Sequence, residues 1–92
     1  MTISVHDAIK SAQAFLTTIY PEARQVTVEE LDNDDQAGEW LITLGFAREI
    51  ENQQSLGILL RGLGGRSYKT IAIDKGTGDI KSMKIKAVVG QV

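Results

Sequence analysis

The sequence contains no cysteine and only one histidine, His6. Without cysteine there can be no disulfide, no zinc–thiolate site, no iron–sulfur cluster and no thiol nucleophile. With one histidine, a histidine-based metal site and a histidine triad are both disfavoured. His6 is adjacent to Asp7 near the start of a predicted helix, where neighbouring residues do not face each other, so we interpret it as a surface residue. We therefore predict no catalytic residues, no metal ligands and no cofactor, and we expect that the protein is not an enzyme.

Long apolar runs are also absent. No stretch approaches the ~20 residues that a membrane-spanning helix needs, and the first ten residues lack the basic start and apolar centre of a signal peptide. We therefore expect no membrane partner and a cytoplasmic location. The 92 residues, of which 42% are hydrophobic and 24% charged, have a globular composition. This length predicts a single domain over residues 1–92 with one core.

The net charge of −2 conceals an uneven distribution of charge along the chain. Residues 1–46 carry eight acidic and two basic groups, whereas residues 47–92 carry four acidic and eight basic groups. Such asymmetry is typical of an acidic surface that meets a basic partner, of one copy that meets another, or simply of the two ends of a small sheet. No basic run has the density that duplex binding requires, so we expect no nucleic-acid partner.

Apolar residues at helical spacing predict one amphipathic helix at the N-terminus. Ser4 and Asp7 have the spacing of a capping box, in which side chains bond to the free N–H groups of the first turn. Pro21 disfavours helical geometry at Tyr20, so the helix should end there. The apolar stripe of this helix consists of Val5, Ala8, Ile9, Ala12, Phe15, Leu16 and Ile19.

Four segments with alternating apolar and polar residues predict β-strands. They span residues 25–31, 39–50, 68–74 and 80–88, and short polar connections favour hairpins between them. We therefore predict an α+β fold in which the N-terminal helix packs on one face of a four-stranded antiparallel sheet. The residues expected to meet the helix are Trp40, Ile42, Leu44, Phe46, Ile71, Ile73, Met83 and Ile85.

Two segments invite comparison with ligand-binding loops. The acidic run at 32–35 lacks the glycine and the closing glutamate of a calcium-binding EF-hand loop, so we interpret it as a solvated hairpin connection. The glycines before Lys69 lack the spacing of a phosphate-binding loop, and a strand rather than a helix follows them. We therefore interpret residues 51–67 as a long connection and not as a nucleotide site.

The second face of the predicted sheet carries few charges. We call it the open face, and it comprises Leu41, Thr43, Gly45, Ala47, Tyr68, Thr70 and Ala72. A sheet face that is exposed to water usually carries more polar side chains, so either the connection 51–67 or a partner is expected to cover this one. The candidate interaction residues are Leu41, Thr43, Tyr68 and Thr70 of the open face, extended by Leu56, Leu59 and Leu60 of the connection.

Part of the chain resembles a PepSY-type domain. The matching segments are Trp40–Phe46, which starts with an aromatic residue, Tyr68–Asp74, which starts with tyrosine and ends in aspartate, and the Thr77-Gly78-Asp79 turn. That family typically has a helix before these strands. The resemblance implies a non-catalytic module with a suggested role in inhibiting or regulating peptidases or in binding at cell surfaces, and it implies no catalytic residues.

These observations lead to one functional hypothesis and one alternative. We expect a non-catalytic protein-interaction module that forms a homodimer and binds a protein of unknown identity through the open face or the leucine- and glycine-rich connection. The alternative is a PepSY-like inhibitor or regulator of peptidases. A small-ligand pocket between helix and sheet is a third class, but the inward side chains look large enough to fill that space.

Overall fold

The computed structural model describes residues 2–48 and 66–86, and within them one helix precedes four strands. The strands form one sheet in the order β1-β2-β3-β4, and each neighbouring pair is antiparallel. The predicted α+β fold with one helix on a four-stranded antiparallel sheet is therefore confirmed. The bounds are α1 Val5–Ile19, β1 Ala23–Asp34, β2 Glu39–Arg48, β3 Arg66–Asp74 and β4 Ile80–Ile85. The predicted continuation of β2 to residue 50, most of the connection 51–67 and the predicted strand residues 87–88 lie outside the described residues.

Local sequence chemistry determines both ends of α1. The backbone N–H of Asp7 donates to Ser4 Oγ at 3.0 Å, which is the N-cap interaction that the spacing predicts. At the other end, the N–H of Tyr20 donates to the carbonyl of Leu16 at 2.7 Å, and Pro21 follows. The helix therefore ends where the proline predicts. In the described part of the chain, the helix is neither long nor apolar enough to span a membrane.

The core lies between α1 and one face of the sheet. Ala8, Ala12 and Leu16 are the fully buried residues of the helix. The first two are small, which lets the helix backbone approach the large side chains of the central strands β2 and β3. Trp40 and Met83 pack against this cluster, as predicted. The fully buried sheet residues are Ile42, Leu44, Phe46, Ile71 and Ile73.

The prediction that Ile85 points into the core is wrong, because this side chain is 78% exposed. It is the last residue of β4, an edge strand that has a neighbouring strand on only one side. The opposite edge behaves in the same way, since Val28 and Leu31 of β1 are also exposed. The buried core is therefore concentrated on the two central strands, and apolar side chains towards both edges stay accessible.

Candidate interaction surface on the open face of the sheet

The strand register brings four of the predicted interaction residues together on the open face. Thr43 of β2 lies opposite Thr70 of β3, and their Oγ1 atoms are 2.9 Å apart, at hydrogen-bond distance. Alternate residues of a strand share a face, so Leu41 and Tyr68 lie on the same face as these threonines. Leu41 belongs to the next pair on this face in one direction along the strands, and Tyr68 belongs to the next pair in the other direction. Leu56, Leu59 and Leu60 lie outside the described residues.

The centre of the open face is made of small residues in close contact. Thr43 is 5% exposed and Ala72 is 6% exposed, and Gly45 is also buried. Tyr68 and Leu41 beside them are half-buried. Among the described residues, no buried side-chain nitrogen or oxygen lacks a hydrogen-bond partner. A partner could therefore cover Thr43 and Thr70, whose hydroxyls already lie at hydrogen-bond distance from each other, whereas an unpaired buried hydroxyl would cost roughly 1–3 kcal/mol.

Charged residues flank this centre on both sides, and sequence reasoning did not assign them to the site. Glu30 and Asp32 of β1 lie in register with Thr43 and Leu41 of the open face, which puts both carboxylates on the same side of the sheet. On the other side, Lys84 of β4 lies opposite Thr70. We call Glu29, Glu30 and Asp32 the acidic row, and Lys84 and Lys86 the basic row.

One ion pair spans the open face between these rows. Lys86 Nζ donates to Glu30 Oε1 at 2.9 Å, although the central strands β2 and β3 separate β1 from β4. The hydrogen bond to Glu30, together with the charge of that carboxylate, raises the pKa of Lys86 above its usual value. The nearby charge of Asp32 acts in the same direction. The acidic row and the basic row therefore interact electrostatically across the small central residues.

Arg66 makes a second bridge near one end of the open face. Its Nη2 donates to the carbonyl of Gln25 and to Thr27 Oγ1, each at 2.8 Å, and lies 3.9 Å from Glu29 Oε2. Gln25 has a positive φ of 54°, and the register of β1 against β2 shifts between Arg24 and Thr27. Arg66 thus holds the irregular part of the edge strand β1 in place.

A signal for the two charged rows was present in the sequence. The acidic groups are concentrated in the first half of the chain and the basic groups in the second half. In a sheet whose spatial order follows the chain order, the first and last strands become opposite edges. The uneven charge distribution of the sequence is therefore an acidic edge and a basic edge in space.

Two other charged clusters join elements of the fold. The guanidinium carbon of Arg48 lies 4.2 Å from the ring centre of Tyr20, and Arg48 Nη2 lies 2.6 Å from Glu22 Oε2. A hydrogen bond from its own backbone N–H, and then the bond from Arg48, lower the pKa of Glu22. Tyr20 stacks on Phe46 with the ring centres 5.7 Å apart, so this cluster ties the end of α1 to β2.

The second cluster surrounds Trp40, whose predicted role in the core is confirmed. The indole N–H donates to the carbonyl of Ile3 at 3.3 Å, and Lys75 Nζ lies 4.8 Å from the ring centre. Lys75 Nζ also bonds to Asn33 and lies 2.7 Å from Asp35 Oδ1. This lysine therefore connects the turn after β3 to the turn after β1.

Two residues of the acidic run 32–35 make ordinary structural contacts. Asp34 Oδ1 accepts the N–H of Ala37 at 3.2 Å, as expected for a hairpin turn, and Asp35 pairs with Lys75. His6 is exposed, as predicted. In residues 2–48 and 66–86, no three His, Cys, Asp or Glu side chains are placed to hold a metal ion.

Comparisons of this chain with protein-family models, with curated proteins and with solved structures found no match. The resemblance to PepSY-type domains therefore stays a prediction.

Proposed function

We propose that this protein is a non-catalytic protein-interaction module that functions as a homodimer and binds through the open face. The observation that carries the proposal is the composition of that face. Its centre holds small, close-packed and hydrogen-bonded residues, Thr43 and Thr70 among them, with Leu41 and Tyr68 half-buried beside them. Interfaces commonly combine such a neutral centre and an aromatic residue with a charged rim.

The charged rim supports the same proposal. Charges at the edge of an interface set orientation and association rate, whereas apolar and aromatic groups at its centre contribute more of the affinity. The acidic row and the basic row occupy rim positions on opposite sides of the open face. The proposal also includes a cytoplasmic location. It includes no nucleic-acid partner either, in keeping with a net charge of −2.

Sedimentation velocity over a range of micromolar concentrations tests this proposal. We expect the wild type to self-associate and Leu41→Glu to shift it towards monomer, because a carboxylate would be desolvated in the interface. Ile85→Glu is the matched control, since Ile85 is 78% exposed but lies opposite Lys69, away from the open face. Far-UV circular dichroism verifies that both variants are folded. A wild type that stays monomeric, or equal association of wild type and Leu41→Glu, would overturn the proposal.

The resemblance to PepSY-type domains favours a second function, inhibition or regulation of peptidases. The segments that carry the resemblance coincide with β2, β3 and the turn after β3, in which Asp74 Oδ1 accepts the N–H groups of Gly76 and Thr77. Adding the purified protein to a panel of peptidases from the same cell tests this alternative. Slower hydrolysis by one of them is the expected result, and unchanged hydrolysis across the panel counts against it.

A further inference from the structure

We propose that a second copy of this chain packs its open face against the first about a two-fold axis that runs parallel to the strands. This inference rests on the function proposed above and specifies the partner's orientation. In this arrangement the acidic row of each copy lies over the basic row of the other.

The register places opposite charges at the two ends of one line of paired residues that crosses the four strands. Glu30 pairs with Thr43, Thr43 with Thr70, and Thr70 with Lys84. The residue at one end of this line is therefore an acid, and the residue at the other end is a base. Both end residues are exposed, whereas Thr43 between them is buried.

Only one in-plane two-fold axis makes these charges complementary between copies. A two-fold axis across the strands would place β1 over β1 and β4 over β4, so that like charges meet. An axis along the strands places β1 of one copy over β4 of the other. It keeps each line of paired residues at the same position along the strand direction. Glu30 then faces Lys84 of the second copy, and Tyr68 faces the buried Gly45 of the second copy. Aligned packing of two sheets is a common geometry, and a two-fold interface closes with two copies.

Edge-to-edge pairing of β1 with β4 has the same charge complementarity, but the backbone of β1 is irregular. Its register against β2 shifts twice, between Arg24 and Thr27 and between Val28 and Glu30. Gln25 has a positive φ of 54°. Bulges of this kind protect an edge strand against pairing with another chain. The open face, whose two central strands pair without a register shift, is the more regular surface.

The intrachain pair between Lys86 and Glu30 is compatible with this assembly. Their side chains are 46% and 52% exposed, and an ion pair this accessible to water contributes little to stability. Breaking this intrachain pair, so that each charge can pair with the second copy, therefore costs little free energy. In the dimer Glu30 faces Lys84 of the second copy, and Lys86 lies under the acidic row of the second copy.

The size of the face predicts a dimer of modest affinity. Four strands about 4.8 Å apart and roughly 25 Å long present about 500 Å² per copy. Two copies would bury about 1,000 Å² in total, which is at the lower limit for a specific interface. We therefore expect a dimer that dissociates in the micromolar range and whose affinity falls as salt screens the facing charges.

Reversing the charge of Glu30 or of Lys84 tests the proposed orientation of the second copy. Glu30→Lys and Lys84→Glu are each expected to raise the dimer dissociation constant at least about tenfold, because each makes two like-charge pairs in a symmetric dimer. The double variant is expected to return to near the wild-type constant, since it restores opposite charges. Lys10→Glu, which reverses an exposed charge on α1, is the matched control and should leave the constant unchanged.

The outcomes separate this inference from the function on which it rests. Urea unfolding of each variant first establishes that the monomer is folded. If Leu41→Glu abolishes association but the charge reversals have no effect, or the double variant is no better than the single ones, the open face is the interface and this orientation is wrong. If a rescued double variant forms chains that lengthen with concentration, edge pairing replaces the two-fold dimer. If neither Leu41→Glu nor the reversals alter sedimentation, both proposals are wrong.

Discussion

The ring of Tyr68 occupies the space beside the Cα atom of Gly45 on the neighbouring strand. A Cβ atom built on Gly45 would lie 2.8 Å from Tyr68 Cε1 and 2.9 Å from Glu29 Oε2. Glycine in a strand is otherwise unfavourable, and it is commonly found where another group approaches the backbone closely. The absence of a side chain at Gly45 therefore gives Tyr68 its place on the open face.

The first prediction concerns Gly45→Ala. In an ordinary strand position this change is stabilising, but here the methyl group overlaps Tyr68, so we expect the free energy of unfolding to fall by about 1–3 kcal/mol. Urea denaturation measures it. In a Tyr68→Ser background the same change should cost much less, because the ring is gone and the remaining neighbour, the exposed side chain of Glu29, can move aside. An unchanged or higher stability of Gly45→Ala in the wild-type background would contradict the close approach.

The second prediction concerns the turn after β3. Bonds from the N–H groups of Thr77 and Gly76 hold the pKa of Asp74 below its usual value of 3.8. A carboxyl whose folded pKa is lowered contributes stability that is present above its unfolded pKa and is lost as the pH falls through its folded pKa. We therefore expect Asp74→Asn to be less stable than wild type at pH 7 and the difference to shrink below about pH 4.

Urea midpoints at pH 7 and at pH 2.5 measure this difference. Asp79→Asn, which removes the charge of a side chain two residues after Thr77, serves as the control. It should lower stability less at pH 7, because Asp74 accepts the N–H groups of Gly76 and Thr77. A difference between wild type and Asp74→Asn that is equal at both pH values would show that the charge of Asp74 does not stabilise the turn.

The third prediction concerns Lys75, whose side chain is only 13% exposed. Its ammonium group contacts the Trp40 ring and pairs with Asp35, so Lys75→Met should lower stability by about 1–2 kcal/mol. Trp40 is the only tryptophan, and its emission spectrum should shift when the cation is removed. Lys81→Met is the control, because Lys81 is 45% exposed and forms an ion pair with Glu39. Equal effects of the two changes would contradict a specific role for Lys75.

The fourth prediction compares two apolar side chains that the sequence pattern treats alike. Leu16→Ala should lower the free energy of unfolding by about 2–5 kcal/mol, because Leu16 is fully buried in the core and the change leaves a cavity. Ile85→Ala should cost well below 1 kcal/mol, about the size of an ordinary surface change. Thermal or urea unfolding of both variants measures the contrast. Similar costs would mean that Ile85 is covered in solution.

Short-range chemistry made the elements themselves predictable. Ser4 and Pro21 determine where the helix begins and ends, since capping and the steric restriction before proline act within a few residues. Alternation along β2 and β3 identified the side chains that meet the helix, because a strand has only two faces. The same alternation placed Leu41, Thr43, Tyr68 and Thr70 together on the opposite face, as the register confirms.

The charged residues of the site depended on which strands became edges. Glu30 and Lys86 are 56 positions apart, and the folded sheet brings their charged groups to 2.9 Å. The contact of Lys75 with Trp40, and the exposure of Ile85, likewise depend on packing between elements that are distant in the chain.

By itself, then, the amino-acid order determined the helix, the strands and the two faces of the sheet, because capping, proline sterics and alternation are local properties. Only the tertiary structure decided which charges flank the open face and which apolar side chains are covered, because both follow from the strand order and from the reach of a single helix over four strands.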